Sequence, residues 1–365
     1  MPLLLPILRK DLNRENIKGL LTNFSDMKTK LYKCTDSLDE AAYILKNGGL
    51  VAFPTETVYG LGANALDESA AMRIYAAKGR PSDNPLIVHL SSPEEASEYA
   101  YTGREFMVLA ERFMPGPITV ILKKRAMIPD TVTGGLDTVA IRVPSNSVAR
   151  ELISKAGVPV AAPSANLSGR PSCTEFSHVV EDMNGRVDAI IDGGECEIGL
   201  ESTIVKIVGD MTLKLLRPGA VTYTMLVEAG FTVTLDKAVT EKLSDNERPD
   251  APGMKYKHYA PKAQVILLDG DASRVTDFLY EKSHEEGIGV VLFENERRFA
   301  GKNAVFIGEE GNPKEQAKRL FAILREFDMH SEIKTVYARV PCKEGLGLAI
   351  YNRMLKASGY TVISL

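Results

Sequence analysis

The chain has 365 residues, of which 44% are hydrophobic and 25% are charged, and its formal net charge is -4. This composition is ordinary for a folded globular protein, so it excludes a wholly disordered or fibrous chain. The length exceeds what one hydrophobic core usually organises and predicts two domains. Because the net charge is negative, the molecule as a whole does not attract nucleic acid, and contact with a polyanion would need a local basic patch.

The four cysteines, Cys34, Cys173, Cys196 and Cys342, are scattered along the chain. A disulfide framework, a zinc site or a redox motif would need closer spacing, so we expect a reducing compartment, the cytoplasm. The apolar segment 1–8 is too short for a signal peptide or a membrane span. We interpret residues 1–29 as an N-terminal extension.

From residue 30 onward, short apolar runs alternate with helical patterns. Helices are predicted from a cap at Ser37 to Gly48-Gly49, from a cap at Asp67 to Lys78, and at 104–113, 147–155 and 175–183. Strands are predicted at 31–34, 50–53, 86–90, 118–122, 139–143, 158–162, 189–191, 203–208 and 213–216. The segment PTETVYGLG, 54–62, is expected to be a polar loop. Because strands outnumber helices, we predict an α/β fold with a twisted mixed sheet.

The periodicity fades over residues 232–262, where charges and prolines are typical of a linker. Beyond it, predicted strands at 264–268, 288–293 and 335–340 alternate with predicted helices at 273–284, 313–327 and 346–357. This alternation predicts a smaller, Rossmann-like α/β second domain at 263–365, after a first domain at 30–231. No G-x-G-x-x-G follows a strand there, so a dinucleotide site is not expected.

Two proline-flanked polar segments are the most informative motifs, KGRPSDNP at 78–85 and PSAN at 163–166. A residue before proline is pushed out of the helical region, and residues two apart in an extended chain point the same way. Lys78 and Arg80 are therefore predicted to converge on one anion. Ser164 and Asn166 follow a predicted strand, where open α/β sheets bind ligands. Either segment alone is typical of a solvated loop, but together they indicate a phosphate site without a P-loop.

Strand alternation places Thr138 and Arg142 on one face beside the small Ala140, opposite an apolar face. Arginine can hold a carboxylate with two hydrogen bonds, although an arginine paired with a surface acid is an equally common arrangement. His89 lies in an otherwise apolar strand, where a histidine satisfied within the core is the usual outcome. The sequence therefore leaves both residues as candidates for a ligand site.

Further polar groups follow predicted strands in the loop 55–59, at Glu201-Ser202-Thr203 and at Arg217, which precedes a proline. The segment KYKHY, 255–259, interleaves cations with aromatic rings and could stack on a base, although a basic tether between domains is commoner. No nucleophile with a base partner and no Walker motif is evident. The pattern indicates positioning and charge neutralisation of a phosphorylated substrate.

The segments PTETVYGLG, KGRPSDNPL with His89, PSAN and KHYAPK occur in an order that resembles YrdC-type threonylcarbamoyl-AMP synthases of the long, two-domain form. The resemblance covers residues 30–365. It implies a YrdC-like catalytic domain followed by an accessory domain. It also implies synthesis of threonylcarbamoyl-AMP and pyrophosphate from L-threonine, bicarbonate and ATP, for N6-threonylcarbamoyladenosine at tRNA position 37.

The resemblance also assigns the site residues. A catalytic tetrad around the phosphates would comprise Lys78, Arg80, Ser164 and Asn166. The ATP site would comprise Arg80, Asn84, Thr138, Ala162, Ser164, Arg217 and Tyr259. Threonine would contact Thr57, His89, Arg142 and Ser202. Mg²⁺ would be held mainly by ATP phosphates, because no acidic cluster is evident. Expected partners are downstream tRNA threonylcarbamoyl-transfer proteins, with a weak tRNA contact.

Two other functions fit parts of the pattern. The same domain can serve as a carbamoyl-adenylate transfer module, but such proteins carry acylphosphatase, zinc-finger or kinase-like domains, and nothing in this chain resembles them. An RNA-binding module is the second alternative. The acidic balance argues against it, and a salt-dependent gel shift with unmodified tRNA would discriminate.

Overall fold

The computed structural model describes residues 28–242, 251 and 258–365. They form an eleven-stranded mixed sheet and a separate five-stranded sheet. Helices flank the first sheet on both faces, so the predicted α/β class is confirmed. Almost all of the predicted N-terminal extension, and residues 243–250 and 252–257 of the predicted linker, lie outside the described residues.

The large sheet has the strand order β1-β8-β2-β3-β7-β4-β6-β5-β9-β10-β11. Its strands are β1 (Lys30–Lys33), β2 (Val51–Phe53), β3 (Gly60–Asn64), β4 (Ile87–His89), β5 (Ile118–Lys123), β6 (Thr138–Arg142), β7 (Val160–Ala162), β8 (Ala189–Asp192), β9 (Thr203–Gly209), β10 (Thr212–Arg217) and β11 (Thr232–Leu235).

The helices of this part are α1 (Asp39–Lys46), α2 (Glu68–Lys78), α3 (Ala96–Tyr99), α4 (Arg104–Phe113), α5 (Asp130–Thr133), α6 (Ser147–Ala156), α7 (Phe176–Met183) and α8 (Tyr223–Glu228), with a 3₁₀ turn at Lys237–Val239. Apolar residues of α1 and α6 pack with Phe53 and Ala162 on one face of the sheet. Residues of α2 and α4 pack with Ala52 and Ala161 on the other. The period-2 alternation of the strands thus builds two separate hydrophobic layers.

The second sheet has the order β14-β13-β15-β12-β16, and its strand pairs are all parallel. Its elements are β12 (Gln264–Asp269), α9 (Ala272–Lys282), β13 (Ile288–Leu292), a 3₁₀ helix (Glu294–Phe299), β14 (Ala304–Phe306), α10 (Pro313–Met329), β15 (Thr335–Arg339), α11 (Gly345–Ala357) and β16 (Val362–Ser364). This is the Rossmann-like alternation that the sequence predicts.

The expected polar loop at 54–62 is partly wrong, because residues 60–64 form strand β3. Glycine normally weakens a strand, but here the space that its side chain would occupy is filled by neighbouring side chains. A Cβ on Gly62 would lie 2.8 Å from both the Phe53 ring and the Val160 side chain. The strand therefore needs glycine at this position.

Other local expectations also differ from the structure. Ser37 is not the cap of α1, since helix α1 begins after Leu38 and has no side-chain cap. Asp67 caps α2 as predicted, accepting from the N–H groups of Ser69 and Ala70. Residues 232–235, which the fading periodicity places in the linker, pair with β10 as strand β11. Among the described residues, no helix is both long and apolar enough to span a membrane.

Candidate functional site

The candidate site is a cleft over the sheet face that carries Ile87 and His89, beside the area covered by α1 and α6. It is lined by Thr55, Val58, Tyr59, Gly60, Lys78, Arg80, Ile87, His89, Arg142, Ala162, Pro163, Ser164, Asn166, Ser168, Gly169, Glu201, Arg217, His258 and Tyr259. We call this set the cleft.

Strand directions explain how the cleft is built. Strand β7 runs antiparallel to β4, which pairs in parallel with β6. The end of β7, next to Ser164, therefore lies beside the start of β4, whereas His89 and Arg142 lie at the opposite end of this short face. A step of two residues along a strand is about 7 Å. The cleft consequently runs along the face of the sheet and does not sit at one carboxyl edge.

One end of the cleft is the phosphate corner, formed by Lys78, Arg80, Ser164 and Asn166. Lys78 is the last residue of α2, and the left-handed Gly79, with φ 62°, ends the helix. The expectation that an extended chain points Lys78 and Arg80 the same way is therefore wrong, although both line the cleft. The Lys78 ammonium donates to the main-chain oxygens of Ser164 and Asn166.

The pKa of Lys78 in the phosphate corner is unusual for a lysine. Burial, together with the positive charge of Arg80, lowers the pKa of Lys78 to about 7. Arg80 Nε donates to the main-chain oxygen of Asn84 over 3.3 Å, and its Nη2 donates to that of Pro85 over 3.1 Å. Asn84 itself does not line the cleft, and its main chain orients Arg80. The corner thus presents two cations held by main-chain carbonyls.

The two polar side chains of PSAN are linked to each other. Ser164 Oγ donates to Asn166 Oδ1, and Asn166 Nδ2 donates to the main-chain oxygens of Leu167, over 2.8 Å, and Arg170, over 2.9 Å. A bridge between Gly60 and Ser164 fixes this loop against β3. The sequence motif is therefore a rigid turn beside the Lys78 ammonium.

The opposite end is the carboxylate corner, formed by Arg142, which lines the cleft, and by its hydrogen-bond partners Glu56 and Thr57, which do not. Arg142 Nη2 donates to Glu56 Oε1 over 2.8 Å and to Thr57 Oγ1 over 2.7 Å. The side chains of Arg142 and Glu56 are 5% and 4% exposed, so this is not a pair on a solvent face. Two of their atoms, Arg142 Nε and Glu56 Oε2, are buried without a hydrogen-bond partner within the described part of the chain.

His89 lies directly across the strand pair from Arg142 and lines the cleft. Its Nδ1 is 3.1 Å from the main-chain oxygen of Ile87. Burial, and then the charge of Arg142, lower the pKa of His89 to about 3. The imidazole is therefore neutral at physiological pH and can exchange hydrogen bonds without adding charge.

Ser202 is buried behind the cleft. Its Oγ lies 2.7 Å from Thr119 Oγ1, and Arg217 donates to its oxygens from Nε, over 2.9 Å, and from Nη2, over 3.1 Å. Arg217 and Ala162 line the cleft, but Ser202 and Thr57 only support residues that do.

Thr138 is not brought to the cleft. It lies at the start of β6, about 13 Å along the strand from Arg142, and lines a different depression with Lys123.

The end of the predicted linker closes one side of the cleft. His258 and Tyr259 both line it, and the Tyr259 ring packs against Phe321 of α10 with centroids 5.1 Å apart. Tyr259 has a φ of 66°, a left-handed conformation that is costly for a non-glycine residue unless its surroundings hold it. Contact with helix α10 thus fixes the ring at the cleft.

Sequence reasoning did not propose Glu56, Glu201 or His258 as site residues. Each is the immediate neighbour of a residue that it did select, Thr57, Ser202 or Tyr259. These residues lie in segments that the sequence marks as polar, 55–59, 201–203 and 255–259, but the family resemblance assigns only one residue in each. A cleft with cations at one end and an arginine-carboxylate pair at the other can hold a polyanion beside a small zwitterion.

Two family models match nearly the whole chain. The model described as telomere recombination, Sua5_yciO_yrdC, matches residues 43–219. The model described as the threonylcarbamoyl-AMP synthase C-terminal domain matches residues 221–359. The chain belongs to the threonylcarbamoyl-AMP synthase family.

Relatives in this family match over most of their length. The chain is 44% identical over 329 residues to the threonylcarbamoyl-AMP synthase of Pyrococcus abyssi, covering 88% of this chain and 94% of the relative. It is 40% identical over 346 residues to that of Bacillus subtilis, covering 93% and 98%. The crystal structure of P. abyssi Sua5 complexed with L-threonine superposes with a TM-score of 0.84 at 40% identity, covering 92% and 99%.

The family makes threonylcarbamoyl-AMP for the threonylcarbamoyladenosine modification of tRNA, from ATP, threonine and bicarbonate. The sequence-based predictions of this family, fold and enzyme activity are therefore confirmed. The assignment of individual residues to substrates is a separate question, which depends on the geometry of the cleft.

Proposed function

We propose that the cleft is the reaction centre for threonylcarbamoyl-AMP synthesis, with the ATP phosphates at the phosphate corner and threonine at the carboxylate corner. The observation that carries the assignment is the pair of unpartnered, buried polar atoms Arg142 Nε and Glu56 Oε2. A buried polar group without a partner is costly, so a ligand that supplies one is favoured. An amino acid supplies an acceptor for the guanidinium and a donor for the carboxylate.

Within this proposal, Arg142 binds the carboxylate of threonine, and Glu56 accepts from its amine. His89, neutral and adjacent to Arg142, contacts the side-chain hydroxyl. Thr57 and Ser202 support the arginines that bind substrate, through their hydrogen bonds to Arg142 and Arg217. Their expected roles in threonine binding would thus be indirect.

At the other end, Lys78, Arg80, Ser164 and Asn166 surround the triphosphate, Ala162 and Arg217 line the nucleotide site, and Tyr259 covers it. Asn84 would act by orienting Arg80. Thr138 remains an expected ATP-site residue only on the family resemblance, because its position supports no contact in the cleft. Mg²⁺ would neutralise the triphosphate. Within the described ranges, no group of three acidic, histidine or cysteine residues could hold it, which supports coordination mainly by phosphate oxygens.

The proposed reaction needs no protein nucleophile. Bicarbonate gives carbon dioxide and hydroxide. The threonine nitrogen bonds to the carbon of carbon dioxide, giving a carbamate, and the proton that the nitrogen loses converts the hydroxide to water. A carbamate oxygen then bonds to the α-phosphorus, and the bond from that phosphorus to the oxygen of the leaving diphosphate breaks, releasing pyrophosphate. Lys78 and Arg80 stabilise the negative charge that moves onto the phosphates, as preorganised cations in a buried site can do.

The first test is direct. The purified chain is incubated with ATP, Mg²⁺, bicarbonate and labelled threonine, and pyrophosphate and threonylcarbamoyl-AMP are measured. Serine should be a poorer substrate and valine a very poor one, because a site that hydrogen-bonds a hydroxyl rejects an analogue without it by about 10⁴-fold. Equal turnover of valine and threonine would contradict the proposed contact between His89 and the threonine hydroxyl.

The compartment and partners are also part of the proposal. We place the protein in the cytoplasm, where its free cysteines would stay reduced and where downstream tRNA threonylcarbamoyl-transfer proteins would receive the adenylate. A weak tRNA contact is retained as an expectation. A gel shift with unmodified tRNA over a range of salt concentrations checks it, since contact with phosphates weakens steeply as salt rises.

A further inference from the structure

An arginine of the accessory domain is buried in the catalytic domain. Arg325, on α10, has a side chain that is 4% exposed and pairs with Asp182 of α7, with Nη2 and Oδ2 2.7 Å apart. The same Nη2 donates to the main-chain oxygen of Pro171 over 2.6 Å. Asp182 has a fully buried carboxylate, so the two charges compensate each other across the domain boundary.

The partner of Arg325 holds the PSAN loop. Asp182 Oδ2 accepts from the N–H of Leu167 over 3.0 Å, and Oδ1 accepts from Arg170. Leu167 directly follows Asn166, and the Asn166 amide donates to the main-chain oxygens of both Leu167 and Arg170. Two hydrogen-bonding steps therefore connect the accessory helix to Asn166 in the phosphate corner.

A second arginine of the accessory domain holds the other wall of the cleft. Arg353, on α11, is fully buried, and its Nε is 3.0 Å from Glu201 Oε2. Its Nη2 donates to the main-chain oxygen of Glu201 over 3.2 Å, and its Nη1 donates to that of Pro218 over 2.5 Å. Glu201 precedes Ser202 and Pro218 follows Arg217, so this guanidinium fixes both segments that flank that pair.

The two arginine contacts converge on one short segment. Ser172 Oγ donates to Glu201 Oε1 over 2.5 Å, while the neighbouring Pro171 accepts from Arg325. Although burial opposes it, the charges of Arg353 and Arg217 and the Ser172 hydrogen bond lower the pKa of Glu201. The carboxylate is therefore ionised in the folded protein. Separating the domains would remove the ion-pair partners of Arg325, Arg353 and Glu201, so the contact between the domains is specific.

We propose that Arg325 and Arg353 are positioning residues of the reaction, through which the accessory domain sets the geometry of the two cleft walls. Arg325 acts through Asp182 on the phosphate corner, and Arg353 acts through Glu201 and Pro218 on Ser202 and Arg217. This rests on the proposed function of the cleft. Displacing a catalytic group by about 1 Å can cost about 10²-fold in rate, so these contacts matter without touching substrate.

The test uses the full chain with Arg325→Met and Arg353→Met, and the conservative variants Arg325→Lys and Arg353→Lys. The matched control is Arg319→Met on the same helix as Arg325. The Arg319 side chain is 39% exposed and pairs with Glu294 within its own domain. Steady-state pyrophosphate release gives kcat and KM for ATP and for threonine, at a temperature where circular dichroism shows each variant to be folded.

Arg325→Met should lower kcat about 10-fold or more and raise KM for ATP, while KM for threonine changes less than about twofold. Arg353→Met should raise both KM values, because Ser202 and Arg217 lie at its two contacts. Each lysine variant keeps the charge and should recover part of the loss. Parameters for Arg325→Met and Arg325→Lys that equal those of Arg319→Met would overturn the proposal, and so would equal effects of Arg325→Met on the two substrates.

Asn166→Ala separates this inference from the assignment of the cleft. If Asn166→Ala leaves KM for ATP and kcat unchanged, the proposed phosphate corner is wrong. If Asn166→Ala impairs both and Arg325→Met behaves as the Arg319→Met control, the corner stands and the positioning role of the accessory domain fails. Where a methionine variant does not fold, the lysine variant provides the same comparison.

Discussion

At the residue scale, the guanidinium of Arg142 in the carboxylate corner already uses one of its nitrogens, Nη2, in hydrogen bonds within the protein. Glu56 and Thr57 both accept from Nη2 of Arg142, which leaves Nε for a ligand. Arg142→Ala should therefore raise KM for threonine by at least about 10-fold, since losing one partner of a buried charged contact costs about 2–5 kcal/mol. ATP affinity, measured by calorimetry, should change little.

The matched control for that variant is Arg112→Ala, at an exposed position on α4. It should leave both affinities unchanged. If Arg142→Ala abolished ATP binding and left threonine binding intact, the two corners of the cleft would be assigned the wrong way round.

The lowered pKa of Lys78, about 7, predicts a pH dependence. Its charge is present below that pH and lost above it in the free enzyme, so kcat/KM for ATP should fall as pH rises through about 7. Bound phosphates favour the charged form, so the corresponding limb of kcat should lie at higher pH. Pyrophosphate release measured from pH 6 to pH 9 checks this, and coincident limbs for kcat and kcat/KM would contradict it.

The lowered pKa of Lys78 also affects stability. The free energy of unfolding should rise with pH, whereas kcat/KM for ATP should fall. The unfolded lysine, with its ordinary pKa, binds a proton that the folded one has lost, so the free energy of unfolding should rise between about pH 7 and pH 10. Lys356 contributes in the same direction, because burial, with the charges of Arg353 and Arg217, lowers its pKa to about 7. Neither residue contributes a slope well below pH 7.

At the scale of elements, Gly199 is where the loop after β8 meets helix α10. A Cβ there would lie 2.5 Å from Lys318 Cα and 2.6 Å from its main-chain oxygen, and φ is +80°. Gly199→Ala should therefore force the helix away and lower the melting temperature and the activity together. Gly194→Ala is the control, because Gly194 has a φ of +70° and no atom within 4 Å of its Cβ position.

Both glycine variants carry the backbone cost of a positive φ, so only the difference between them reports the helix contact. Thermal unfolding and pyrophosphate release are measured on both. Equal losses in the two variants would show that the contact with α10 contributes nothing to either property.

Periodicity predicts most of the helices and strands because each buries one apolar face, and that requirement is local. Periodicity fails at β3, where Gly62 is needed because the Phe53 ring of β2 fills the space that a side chain would occupy. Periodicity correctly ends helix α2 at Lys78, and what fails is the expectation that an extended chain aligns Lys78 with Arg80. In the site, motif spacing finds Lys78 and Ser164, whereas nothing in the sequence around Arg353 predicts its role, because Glu201 and Pro218, which it contacts, belong to the other domain.

At the scale of the whole molecule, cutting the chain near Ser244 tests what the second half contributes. The cut lies outside the described residues. The fragment 1–243 keeps its own sheet and helices and should stay soluble. It should nevertheless be largely inactive, because it lacks Tyr259 and leaves Asp182 and Glu201 without Arg325 and Arg353.

Pyrophosphate release by the fragment 1–243 is compared with release after residues 244–365 are added separately. Partial recovery on addition would show that the two parts reassociate. Full activity of the fragment alone would refute a role for the linker at the cleft, and with it the closing function of Tyr259.

Two side chains of the catalytic domain, Val58 and Leu200, belong to the hydrophobic cluster that also contains Phe321 and Leu324 of α10. Neither domain can lose its structure without exposing apolar surface of the other, at about 25 cal/mol for each Å². The chain should therefore melt as one cooperative unit. In scanning calorimetry this appears as a single heat-absorption peak whose calorimetric and van't Hoff enthalpies agree, whereas two separated peaks would mean that each half melts by itself.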